Sequence, residues 1–185
     1  MKSAFLAAAL ALTLAGCTRR EPLPVYGQVP HFSLISQSGR PFDSRTLDGK
    51  VWVANFFFSR CLGPCPRMSS QMHWVQKQVA DVPGVRLVSF TVDPEHDTPL
   101  VLASYAQRFR ADSGRWHFLT GQQAVLNSLD RDTFHLGNVD GTLQHATRFV
   151  LIDRQRRIRG YYRTDEGESL APLVADIRRL AKEQP

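Results

Sequence analysis

Val51-Trp52-Val53-Ala54-Asn55-Phe56-Phe57-Phe58-Ser59-Arg60-Cys61-Leu62-Gly63-Pro64-Cys65-Pro66 runs from a hydrophobic segment straight into a pair of cysteines. Val51 to Phe58 is rich in β-branched and aromatic side chains and shows no polar alternation, the pattern of a strand covered on both faces in a parallel or mixed sheet. Helices must then lie above and below it. Ser59 to Pro64 are turn formers, and Pro66 suits a first helical position because its missing N–H has no partner there in any case. The spacing of Met68, Met72, Val75 and Val79 predicts a helix from Pro66 to about Ala80 that buries that face. Cys65 is placed at the helix N-terminus. There the dipole, with Arg60 and Arg67 close in sequence, is expected to favour thiolate over thiol.

Downstream, Pro83-Gly84 ends the helix and Val85 to Val92 reads as a second buried strand, stopping at Asp93-Pro94-Glu95-His96-Asp97-Thr98-Pro99. Pro99 opens a helix over Leu100 to Phe109, capped by Asp97 or Thr98. Trp116 to Leu119 reads as a short edge strand and Ala124 to Leu129 as a short helix. Arg148 to Asp153 and Ile158 to Tyr162 form a hairpin, and Leu170 to Ala181 a terminal helix with Leu173, Val174, Ile177 and Leu180 on one face. The order predicts one α/β domain around a mixed sheet flanked by helices.

Upstream, Phe32 and Leu34 precede the turn signal Gln37-Ser38-Gly39-Arg40 and Phe42 follows it, which predicts an N-terminal β-hairpin. Residues 1–16 combine one early lysine with the apolar run Ala4 to Ala15, too short to span a bilayer and typical of an export signal. Leu14-Ala15-Gly16-Cys17 resembles the lipobox of bacterial lipoproteins, which implies lipidation of Cys17; an ordinary cleaved leader with an incidental cysteine is the plainer alternative. Residues 17–28, with two prolines and little apolar content, read as a tether, and the domain is taken to span 29–185. The formal charge of +6 is scattered, with no dense basic block, which argues against a nucleic-acid partner and fits a generally basic surface.

A strand delivering two cysteines to a helix start, followed by βα and ββα, resembles the thioredoxin fold. The finer resemblance is to the Sco/SenC family of copper chaperones for cytochrome c oxidase assembly. Three stretches carry it: Asn55-Phe56-Phe57-Phe58 leading to Cys61-x-x-x-Cys65-Pro66; Thr91-Val92-Asp93-Pro94-Glu95-x-Asp97-Thr98-Pro99; and His145-x-Thr147-Arg148-Phe149-Val150-Leu151-Ile152-Asp153. It extends from about Val29 to the C-terminus, and departs at Leu62, where family members often carry proline.

The resemblance implies a copper ligand set of Cys61, Cys65 and His145, with the histidine at a strand start beside the cysteine loop. Two thiolates and an imidazole are a soft set suited to Cu(I), and to Cu(II) with a further ligand; structural zinc usually takes four protein ligands. Asp93 is expected to cap its loop or support the site from behind the ligands. Met68 and Met72 read more simply as core, His96 lies near the expected mouth of the site, and His31, His73, His117 and His135 carry no motif. The export signal and the lipobox resemblance imply a protein tethered by lipid to a membrane of the bacterial cell envelope, facing the periplasm or cell exterior. Its implied partners are the copper-site subunit of cytochrome c oxidase and either another copper carrier or a thiol reductant. Two alternatives stay open. Cys61 and Cys65 form a plain structural disulfide, or they serve a thiol-disulfide oxidoreductase that keeps the oxidase copper-site cysteines reduced, a chemistry needing no histidine. The chain lacks the Pro-x-x-x-Thr-x-x-Cys arrangement of peroxiredoxins.

Overall fold

The computed structural model describes residues 21–137 and 146–183; the leader, Cys17 and His145 fall outside them. In chain order the elements are β1 (Gly27–Gln28), β2 (Ser33–Ser36), β3 (Pro41–Asp43), a 3-10 turn at Ser44–Leu47, β4 (Val51–Phe57), α1 (Pro64–Gln78), β5 (Val85–Thr91), α2 (Pro99–Arg108), β6 (Trp116–Thr120), α3 (Gln123–Asn127), a π-helical turn at Ser128–Thr133, β7 (Arg148–Ile152), β8 (Arg157–Arg163) and α4 (Ala171–Lys182). The strands make one mixed sheet in the order β1-β8-β7-β4-β5-β6-β2-β3.

β4 sits inside this sheet, parallel to β5 and antiparallel to β7, and every one of its residues is buried. Its side chains alternate between faces as the pleat requires. Val51, Val53 and Phe57 join a core built with α1, α2 and α4, including Met72, Leu102 and Ile177. Trp52, Ala54 and Phe56 point the other way, into a second core with Phe90, Leu126, Leu129 and Phe134. Burying one such large apolar side chain contributes about 1.5–3 kcal/mol, which explains why this strand shows no polar alternation.

The hairpin is present as β2–β3, with Gly39 at φ 74° in its turn, a left-handed conformation that glycine adopts without strain. Three expectations change. β6 is not an edge strand: it runs parallel to β5 on one side, and the hairpin returns to pair β2 against its other side. α1 begins at Pro64 rather than Pro66, because the first helical N–H groups lack intrahelical partners and the opening turn therefore accommodates both prolines. The segment expected as tether is seated on the domain from Leu23 onward. Gly27–Gln28 pairs with the start of β8, and the buried Arg159 donates to the carbonyls of Pro24 (3.0 Å) and Leu23 (2.6 Å). Of the two candidate caps for α2, Thr98 is the one used, its hydroxyl accepting from the Val101 N–H.

Candidate metal centre

β4 ends at Phe57 and α1 begins at Pro64, so Cys61 lies on the short loop between them and Cys65 in the first turn of the helix. Both are reduced thiols and both are buried, Cys61 at 8% exposure and Cys65 at 0%, and their side chains are hydrogen-bonded to one another. The Cys61 N–H donates to the Phe58 carbonyl (3.3 Å), closing the turn off the strand. The loop is also tied to the β5–α2 connection. Arg60 Nη2 meets Asp93 Oδ2 at 2.7 Å, and the Val92 N–H donates to the Phe57 carbonyl at 2.8 Å. Asp93 thus holds the arginine beside Cys61, and its own N–H donates to the Thr91 hydroxyl at 2.9 Å.

The expected thiolate at Cys65 is overturned. Burial pushes its thiol well above the ordinary range, the hydrogen bond with Cys61 pushes it further, and a Phe58 backbone hydrogen bond opposes them only in part. The two arginines meant to favour the charged form are engaged elsewhere: Arg60 pairs with Asp93, and Arg67 Nε donates to the Thr164 carbonyl at 3.0 Å. In a pocket this enclosed, loss of hydration outweighs a helix dipole.

The described part of the expected ligand set is the two sulfurs, and among the described residues no group of three or more His, Cys, Asp and Glu gathers into a metal cluster. His145 falls outside those residues. Its near neighbour Thr147 is tied toward the cysteine helix: the Thr164 N–H donates to the Thr147 carbonyl at 3.0 Å, and the Thr164 carbonyl is the acceptor of Arg67, two residues beyond Cys65. Met68 and Met72 are wholly buried in the same core and act as filler. His96 is exposed on its turn. His31, His117 and His135 have partners of their own, respectively the Ser44 hydroxyl, the Phe42 ring and the Arg131 carbonyl.

The sequence reading missed the use made of Asp97. Expected only as a possible helix cap, it is fully buried and receives the Ser59 N–H at 3.1 Å. Its signal was its place between the apolar strand β5 and a proline-started helix, where a charged side chain must find donors close by.

The SCO1/SenC family pattern matches residues 24–182. The chain belongs to the SCO1/SenC family. A SCO1/SenC family lipoprotein from Bacillus anthracis has a structure similar to it (TM-score 0.79, 32% identity, covering 88% of this chain and 99% of that one). So does BsSco, a member of the Sco family of cytochrome c oxidase assembly proteins (TM-score 0.77, 26% identity, 89% and 100%). ScoI of Bradyrhizobium japonicum, solved with copper bound, shares the fold (TM-score 0.68, 23% identity, 82% and 98%). This Sco/SenC chain accordingly has the thioredoxin-like fold, with Cys61 on the loop between β4 and α1 and Cys65 in the first turn of α1. Among its described residues, no helix is long and apolar enough to cross a membrane.

Proposed function

We propose that this chain is a membrane-tethered copper chaperone that takes one copper between Cys61, Cys65 and His145 and hands it to the binuclear copper site of cytochrome c oxidase. The observation that carries the reading is the pair of reduced, buried, mutually hydrogen-bonded thiols where β4 gives way to α1. Two sulfurs in a pocket of low polarity suit a soft monovalent ion, whose binding displaces their protons. The imidazole of His145 would complete a three-coordinate site and leave one face open for transfer. Membership of the family and the oxidase-assembly role of BsSco support the target. Another copper carrier would load the site, or a thiol reductant would keep it reduced.

The thiol-disulfide oxidoreductase reading is weakened at one of these thiols. A buried Cys65 whose pKa is raised offers little thiolate near neutral pH, so attack by Cys65 on a disulfide would be slow. Oxidase assembly in cells carrying single substitutions separates the two. His145→Ala should fail as badly as Cys61→Ser. Normal assembly with His145→Ala, alongside failure of the cysteine variants, would sink the carrier and favour the reductase.

A further inference from the structure

Nothing in the copper chemistry above uses the side chain of Asp97, yet it lies fully buried beside the cysteine loop. Its Oδ2 accepts from the Ser59 backbone N–H (3.1 Å) and from the Thr91 hydroxyl (2.5 Å), and its Oδ1 accepts from the Ser59 hydroxyl. Three donors converge on two oxygens, so the group acts purely as an acceptor, as an ionised carboxylate does. Its backbone is fixed as well: the Asp97 N–H donates to the Asp93 carbonyl at 2.8 Å, and Thr98, the next residue, caps α2. Ser59 stands between the end of β4 and Cys61, so the clamp grips the loop at its first residues. Burying a charge costs several kcal/mol in lost hydration. A neutral amide or hydroxyl could tie down a loop without that cost, so the charge points to a second use. The residue it grips, Ser59, stands two places before Cys61, so the buried carboxylate lies close behind the cysteine loop.

We propose that Asp97 is a positioning residue of the copper site, fixing the course of the cysteine loop and, through its charge, biasing the site toward copper(II) relative to copper(I). This rests on the copper reading above. Around copper(I), two thiolates and a neutral imidazole leave a net charge of about −1; around copper(II) the same set is neutral. A fixed negative charge nearby destabilises the first complex more than the second by simple Coulomb repulsion.

The test compares Cu(I) and Cu(II) affinities of the detergent-solubilised full chain, measured by competition with chelators of known affinity. Asp97→Asn should weaken Cu(II) binding at least about tenfold more than Cu(I) binding, which for one electron raises the potential of the bound copper by about 59 mV. Ser59→Ala removes one hydroxyl bond while the Ser59 N–H and the Thr91 hydroxyl still donate to the carboxylate, and should lower both affinities together with their ratio held. A purely structural role for Asp97 predicts a common loss in both variants. An unchanged ratio in Asp97→Asn, with circular dichroism showing a native fold, overturns the proposal. Should Asp97→Asn fail to fold, Asp97→Ser, equally uncharged but smaller, takes its place: a ratio moved at least about tenfold toward Cu(I) supports the proposal, and an unchanged ratio overturns it. Wild-type chain that takes up no copper overturns the copper reading itself, before any variant is compared.

Discussion

Asp130, in the π-helical turn after α3, has both carboxyl oxygens buried without a hydrogen-bond partner, and burial pushes its pKa up to about 7. An unfolded aspartate titrates near 3.9. Between roughly pH 4 and 7 the folded chain therefore keeps a proton that the unfolded chain has released, and by linkage stability falls as pH rises, by up to about 1.4 kcal/mol per unit for one proton. Above that window the loss is complete. Half-buried His117, whose pKa is lowered chiefly by burial, acts in the opposite sense at the acid end, but it does so equally in wild type and in an Asp130 variant. Asp130→Asn has no proton to release. Its stability relative to wild type, from denaturant unfolding, should improve between pH 5 and pH 8, and a difference that stays flat would contradict the assigned burial. Neither Asp130 nor the protonated Cys65 was legible in the sequence, and for one physical reason. A charge near a residue can be read from its neighbours in the chain, as Arg60 and Arg67 were, but dehydration comes from side chains brought in from afar, such as Leu102 and Tyr105 in the core that holds the cysteines.

Elements were legible where side-chain pattern alone defines them. The unbroken apolar runs of β4 and β5 and the helical spacing of α1 and α4 survive in the structure to within two or three residues, since burial on particular faces demands those residues. β1 was not legible because two residues paired through their backbones leave no side-chain period to read. Nor was the interior position of β6, which depends on where the hairpin returns. What positions the site most directly is the end of β4. Phe57 is wholly buried and packs its ring against those of Tyr105 (4.9 Å) and Phe118 (5.5 Å), four residues before Cys61. Phe57→Ala leaves a cavity under the loop that the rigid sheet cannot close, and should cost about 3–5 kcal/mol of folding free energy by denaturant titration. A cost under about 1 kcal/mol would mean that the loop does not rest on a packed strand end.

For the whole molecule, strand direction fixes where the chain enters the domain. β7 is antiparallel to β4 and β8 is antiparallel to β7, so β8 runs with β4, and its first residues lie at the end of the sheet away from the cysteines. β1 pairs at that far end, Gln28 against Arg157. Arg159 holds the preceding segment there, itself fixed by a buried ion pair with Asp153 at 2.8 Å. A lipid on Cys17 would thus join the domain through a seated strap at the pole opposite the site, leaving the cysteine loop to face away from the membrane. Cys17→Ser should move the folded protein into the soluble exported fraction, as read by fractionation and circular dichroism; a variant that stays with the membrane contradicts the lipid anchor. The lipobox and the third ligand were both read from motif alone, and both concern residues outside those described. The copper site is therefore best tested by titrating Cu(I) into the reduced full chain, into its Cys61–Cys65 disulfide form, and into His145→Ala. One copper should bind the reduced chain and almost none the disulfide, and His145→Ala should bind at least about tenfold more weakly, roughly 1.4 kcal/mol. A reduced chain that binds no copper, or a His145→Ala variant that binds as tightly as wild type, would contradict the site.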